Sequence, residues 1–152
     1  MDDDTLKHIY RLAERFRQAI ESTDRDTRPI PLILFPHAAC GEASVLLGHF
    51  LGEQGVENIE YVSGQWGRET HGWLEIEEVI ADITADQFIA NDEILLSSKY
   101  NFDLAPVIVT RHRLWHSQFE NQRRHPAAIN VYDDANQQRI LNIYRAIVPH
   151  LR

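Results

Sequence analysis

The sequence predicts an α+β fold. Helix-period apolar patterns mark both ends, short strand-like runs cluster between residues 59 and 110, and no linker or internal repeat divides the chain. The 152 residues suit one domain, 1–152, at the usual size of about 100–200 residues. A composition of 43% hydrophobic and 25% charged residues is that of a globular chain and excludes a disordered or low-complexity one. No apolar run approaches the ~18 residues of a membrane helix, so no membrane partner is expected. With 15 Lys+Arg against 23 Asp+Glu, a nucleic-acid partner is not expected either.

Residues 4–20 carry Leu6, Ile9, Tyr10, Ala13, Phe16 and Ile20 at three- and four-residue steps, which predicts an amphipathic helix capped by Asp3 or Asp4. Ser22 to Pro31 is a polar connector ending in Pro-Ile-Pro, and Leu32 to Phe35 is a short apolar run that Pro36 stops. A second helix is expected over Ala39–Glu53, with Val45, Leu46, His49 and Phe50 on one face, Leu47 and Leu51 at its margin, and Gly55 just past its end. Strands are expected at Ile59–Ser63, His71–Ile76 and Val79–Ile83, with Gly64-Gln65-Trp66-Gly67 as a loop and a Glu-rich turn joining the last two. Thr84–Asn91 reads as a short helical turn, residues 92–105 carry no assignable pattern, and Pro106–Thr110 reads as a strand. Leu114–Arg124 reads as a helix, and Asp133 or Asp134 opens a last one with Ile140, Leu141, Tyr144 and Ile147-Val148 as its stripe, ended by Pro149.

Charge is unevenly spread. Residues 42–103 hold 13 acids and only two bases, Arg68 and Lys99, while residues 104–125 hold four Arg and one Glu. The basic stretch reads as a solvated helix face. The single cysteine, Cys40, excludes an intrachain disulfide and fits a reducing compartment. The acidic start Met1-Asp2-Asp3-Asp4 has no apolar segment behind it, so a cytoplasmic protein is expected, with a secreted effector or toxin left open.

Cys40 falls at the start of an apolar helix, where free N–H groups and the helix dipole favour a thiolate. His71 opens one hairpin strand and Asp82 ends the next. A turn centred between Ile76 and Glu77 makes the indices of opposed residues sum to 153, which sets His71 opposite Asp82 on one face. Imidazole would take the thiol proton, and the carboxylate would hold the imidazole in the tautomer that can do so. The competing reading is a buried Cys, a strand-end His and a capping Asp. His112 and His116, four apart, lack the Glu of a zinc-protease helix, and Cys40 with His37 lacks a second ligand pair, so no metal and no cofactor is expected.

The run Phe35-Pro36-His37-Ala38-Ala39-Cys40-Gly41-Glu42-Ala43-Ser44 resembles the nucleophile motif of the transglutaminase-like, papain-like cysteine enzymes. His71-Gly72-Trp73-Leu74-Glu75 is similar to their His-x-Trp strand, and Asp82-Ile83-Thr84-Ala85-Asp86-Gln87-Phe88 to their Asp-x-Thr strand end, in the same Cys, His, Asp order. The resemblance implies a Cys-bearing helix packed on a small antiparallel sheet, with extra helices at both termini here, and acyl transfer through a thioester. The implied activity is hydrolysis of an amide in a protein or peptide, as a peptidase or a protein-glutamine deamidase. A transglutaminase or acyltransferase using an amine acceptor, and an inert protein-binding module, are the alternatives. The short chain does not support a large transglutaminase architecture with calcium sites. Oxyanion and substrate candidates are the Cys40 backbone N–H, Gln65, Trp66 and His37. Trp73 alternates with His71 and either shields the site or fills the core. The substrate and the oligomeric state do not follow from the sequence.

Overall fold

The computed structural model of the protein describes residues 1–92, 94 and 103–152. Among them, three α-helices and a five-stranded antiparallel sheet give an α+β architecture: α1 (Asp3–Ser22), α2 (Cys40–Glu53), β1 (Ile59–Trp66), β2 (Glu69–Ile76), β3 (Val79–Asp82), β4 (Ile108–Thr110), β5 (Glu120–Pro126) and α3 (Asp134–Ile147). The strand order is β4-β3-β2-β1-β5. No helix among the described residues is long and apolar enough to cross a membrane.

Sheet alternation sorts the core into two layers. Leu74, Ile76, Ala81 and Ile83 face the three helices, meeting Ile9, Leu12, Phe16 and Ile20 of α1, Leu46 and Leu47 of α2, and Ile140 and Ile147 of α3. Val62, Trp73, Ile80 and Ile108 face the other way, into a second cluster built from the chain after β3: Ala85, Phe88, Leu104, Trp115 and Phe119. Because α2 lies between α1, α3 and the sheet, it is buried nearly all round from Ala43 to Leu51, and Leu47 and Leu51 are core rather than margin.

Helix boundaries follow local chemistry. The cap of α1 is Asp2, not Asp3 or Asp4: its Oδ1 accepts from the Thr5 N–H at 2.7 Å. Tyr10 points to solvent while Leu12 and Ala19 join the stripe. Asp133 caps α3 by accepting from the Asn136 N–H, and Ile143 takes the buried place expected for Leu141. Gly55 ends α2 at φ +89°, a left-handed conformation that costs glycine little.

Three expectations are corrected by pairing. Gln65 and Trp66 are not loop residues, because β1 runs to Trp66 and the turn is only Gly67-Arg68. Leu114–Arg124 is not a helix: His116–Gln118 is a single 3-10 turn, and Glu120–Pro126 is the edge strand β5 on β1. Nearly every side chain of β5 is exposed, so the strand has no buried alternation to announce it, and β1 supplies the hydrogen bonds that select it. The basic stretch is therefore a sheet edge. Its crossing is tight at Gly64, beside a register shift between Ser63 and Gln65, where a Cβ would lie 2.8 Å from Phe119 Cβ. Third, Leu74 pairs with Ala81 and Ile76 with Val79, so the index sum is 155 rather than 153 and the turn is Glu77-Glu78. A shift by an even number preserves the faces, and His71 and Asp82 become diagonal rather than direct neighbours.

Arg17 of α1 ties the helix layer to the chain leaving β3. It is buried, grips both Asp86 oxygens at 2.8 Å, and donates to the Ile83 and Pro106 carbonyls. Arg17→Ala should destabilise the fold by about 3–5 kcal/mol, because Asp86 is left without its partner. Urea unfolding measures this, and a loss below about 1 kcal/mol would show that the pair is dispensable.

Candidate active site

Cys40 is the first residue of α2, where the helix docks beside β2. Pairing of β2 with β3 begins only at Leu74, and next to Gly72 the first turn of α2 occupies the place of the missing strand. The Gly72 N–H donates to the Cys40 sulfur, and Ser44 Oγ donates to the Gly72 carbonyl at 3.3 Å. Glycine is required at this point, because a Cβ on residue 72 would lie 2.2 Å from the Tyr61 hydroxyl. A Cβ on Gly41 would meet the same hydroxyl at 3.5 Å, an ordinary contact.

One residue back along β2, His71 is buried on the opposite face of the strand. Its Nε2 lies 2.7 Å from Asp82 Oδ2. A carboxylate only accepts, so Nε2 carries the hydrogen and Nδ1 is left to face the thiol, which hydrogen-bonds the same imidazole. Asp82 is wholly enclosed; its Oδ1 also accepts from the Thr84 N–H at 3.0 Å, and its Oδ2 from His116 Nε2 at 2.8 Å. The structure thus brings Cys40, His71 and Asp82 together. The neighbouring acids are committed elsewhere, Asp86 to Arg17 and Glu75 to Arg113 at 2.7 Å and Arg124 at 3.2 Å.

The electrostatics follow from these contacts. Burial alone would push the Cys40 thiol up, but the hydrogen bond and charge of His71, with the Gly72 N–H, hold it below its ordinary 9.0. Burial would likewise lower His71, yet the Asp82 charge and hydrogen bond, joined by Cys40, raise it from 6.5 to about 9. Asp82 stays ionised well below the usual carboxylate range: its burial is outweighed by the charge of His71 and the hydrogen bonds of both imidazoles. At neutral pH His71 is thus held protonated, and the lowered Cys40 thiol is drawn toward the thiolate, the form in which a cysteine is nucleophilic. Tyr61, raised to about 12 by burial and by the nearby Cys40 charge, keeps its hydroxyl proton across that range.

The Cys40 side chain opens into a cavity of about 510 Å³ with His37, Glu69, Thr70, Gln87 and Phe88 in its wall. A second cavity of about 350 Å³ shares Ala38 and Gly41 with it and is lined by Tyr61, Tyr132, Val45 and Ile140, with the Glu42–Arg139 ion pair in its wall. Of the sequence candidates, His37 lines the first cavity. Gln65 lies exposed with its amide on the Gly67 carbonyl, and Trp66 packs on Trp115 and Phe119, so neither reaches it. Trp73 is buried behind His71, ring centroids 5.7 Å apart, and its Nε1–H donates to Glu75.

Sequence reading missed two residues. Gln87 Nε2 is 3.3 Å from His71 Nδ1 and enters the cavity beside Cys40. His116 is buried against Asp82, whereas His112 is exposed, so the two do not form a pair. The nitrogens of His71 and His116 with Asp82 oxygen are also a possible metal-ligand set, lying within 4.8 Å of one another. They do not fit that role here. The N···O separations of 2.7 and 2.8 Å are those of hydrogen bonds, and two ligands each about 2.0 Å from a zinc ion in tetrahedral geometry stand farther apart.

Two outcomes follow from the ion pair. Cys40 should react with iodoacetamide at pH about 6 faster than a free thiol peptide, and His71→Ala should abolish the advantage; equal rates for the protein and the peptide would show an ordinary thiol. The second concerns stability. His71, raised in the fold, contributes stability that is full below pH 6.5 and lost as pH rises through about 9. Cys40, lowered in the fold, contributes with the opposite sign: full above 9.0, lost as pH falls through its folded value. The two offset in the intact protein, so Cys40→Ala should lose stability more steeply than wild type on going from pH 6.5 to 9. Denaturant titrations across that range give the comparison, and parallel curves would contradict the coupling.

No protein-family model, curated protein or solved structure matches this chain, and the chemistry of the site therefore rests on its own residues and distances.

Proposed function

We propose that the protein is a cysteine-dependent amide hydrolase with a core of the papain-like and transglutaminase-like kind, in which Cys40 is the nucleophile, His71 the general base and acid, and Asp82 the residue that orients His71. One observation carries the reading. A single buried imidazole is bonded through Nε2 to Asp82 at 2.7 Å and through its other side to the thiol at the start of α2. The Cys40 sulfur attacks the amide carbonyl, the carbon becomes tetrahedral, and its oxygen takes the negative charge. His71 gives its Nδ1 proton to the leaving nitrogen as the C–N bond breaks, leaving a thioester. Water, deprotonated by the now neutral His71, then attacks the thioester and releases the acid and the thiol.

The developing oxyanion meets two kinds of donor. Intrahelical bonding in α2 starts with the Ala43 N–H on the Ala39 carbonyl, so the N–H groups of Cys40 and Gly41 have no partner within the helix. The Gln87 amide is the second donor. While His71 is neutral, Gln87 N–H donates to Nδ1; once Nδ1 carries a proton it no longer accepts, and the amide is released toward the cavity that holds the reacting carbonyl. The cavities on either side of the Ala38–Gly41 ridge favour an extended segment of peptide or protein running past Cys40. No cofactor is required by this chemistry.

The test is mass spectrometry of candidate proteins and peptides incubated with enzyme and a primary amine. Hydrolysed product with wild type and none with Cys40→Ala is expected. Amine incorporation exceeding hydrolysis would move the protein to the transamidases, and product that persists with Cys40→Ala would remove the mechanism. On a substrate so found, Asp82→Asn should lower kcat by about 10³-fold or more through the wrong His71 tautomer. Gln87→Ala should lower kcat by about 10²-fold with KM nearly unchanged. A Gln87→Ala effect confined to KM would make Gln87 a binding residue only.

A further inference from the structure

Asp82 Oδ2 is shared. It accepts from His71 Nε2 at 2.7 Å and from His116 Nε2 at 2.8 Å, and all three side chains are almost completely buried. We propose that His116 is a positioning residue of the site: an imidazole whose Nε2–H locks the Asp82 carboxylate in the rotation that keeps His71 Nδ1 turned toward Cys40. The proposal rests on the reading of Cys40, His71 and Asp82 as the reacting group.

The geometry supports the lock. A carboxylate held by one imidazole can turn about its terminal bond. Asp82 is instead pinned at Oδ1 by the Thr84 N–H at 3.0 Å and at Oδ2 from two directions. His116 is itself held. Its ring lies between those of Trp115 and Trp73, at centroid distances of 4.8 and 5.0 Å, and its carbonyl accepts from the Phe119 N–H and from Gln122 Nε2.

One buried anion can balance one buried cation, so the two imidazoles divide their roles. Among the described residues, the charged and titratable groups facing His116 are Asp82 on β3, His71 and Glu75 on β2, and Arg113 on its own segment, which together with Arg124 of β5 neutralises Glu75. Burial lowers His116 and the His71 charge lowers it further, against the pull of Asp82, while His71 is raised by the same carboxylate. Two imidazoles on one oxygen, pushed in opposite directions, separate a proton carrier from a fixed donor. A neutral donor stabilises the Asp82 charge without competing for it, and so also limits how tightly Asp82 holds the His71 proton.

Two variants and one measurement on the unaltered protein test this. His116→Phe fills the space and removes the donor; His116→Gln restores an N–H that can reach Asp82. With iodoacetamide as probe, His116→Phe should shift the upper limb of the Cys40 alkylation profile to higher pH, because a less solvated Asp82 holds the His71 proton more strongly, and should lower kcat about tenfold or more with KM unchanged. His116→Gln should recover most of both. An unchanged profile and turnover in His116→Phe, or no recovery in His116→Gln, would overturn the proposal. If His116→Phe fails to fold, ¹⁵N NMR of the histidine-labelled wild type decides. His116 is expected as the neutral Nε2–H form throughout the titration of His71, and co-titration with His71 or an Nδ1–H tautomer would overturn it. If instead Cys40→Ala and His71→Ala leave turnover intact, the reading of the site fails, whatever the state of His116.

Discussion

A carboxylate with no access to water, at the end of β3, is the constraint around which the rest is arranged. An ionised Asp in that position costs several kcal/mol unless every lone pair that matters is met. Asp82 meets the condition with three N–H donors from three parts of the chain: His71 on β2, Thr84 just past β3, and His116 before β5. Each donor is thereby held in place. The carboxylate sets the direction of the His71 ring, draws the turn after β3 back over the strand end, and anchors the segment that covers the far face of the sheet. The aromatic layer there, Trp73, Phe88, Trp115 and Phe119, keeps the local dielectric low, which strengthens each of these bonds.

The second requirement is that a helix on one face of the sheet and an imidazole on the other meet at a single point. They do so where β2 outruns β3. Gly72 pairs with Ser63 of β1 but has no partner on its β3 side, it has no side chain, and the first turn of α2 enters far enough for its thiol to contact both the Gly72 N–H and the His71 ring on the preceding residue. Tyr61 fills the space a side chain on Gly72 would take and closes the floor under Cys40. The opening of β2 at this point is thus both a break in the β2–β3 ladder and the location of the Cys40 sulfur. Arg17, reaching from α1 to Asp86 and the Ile83 carbonyl, holds the segment bearing Gln87 and Phe88 at the same end.

Much of this was legible in the residues themselves, because it depends on short-range periodicity. The stripes of α1 and α3, the Asp133 cap, the end of α2 at Gly55, and a Cys at a helix start are statements about neighbours within a few positions. The facing of His71 and Asp82 survived a register that differs by two from the one expected, since an even shift moves a side chain along the sheet without turning it over. That same two-residue displacement left the bond between them to be made on the diagonal, which no pattern specified.

Tertiary structure alone decided the remainder. β5 is polar on both faces, so neither alternation nor helical spacing marks it; its hydrogen bonds come from β1, and Gly64 lets it approach. Gln65 and Trp66, adjacent to the hairpin in sequence, are carried away from Cys40 because β1 continues through them instead of looping. Gln87 and His116 lie 16 residues beyond His71 and 34 beyond Asp82. Each sits in a single 3-10 turn, too short to show a period in the sequence. The sequence by itself singled out Cys40, His71 and Asp82, the thiol, imidazole and carboxylate that the fold brings together. The donors that aim them came from the packing of distant loops onto one buried charge, an effect of burial and hydrogen-bond demand that acts only once the chain is folded.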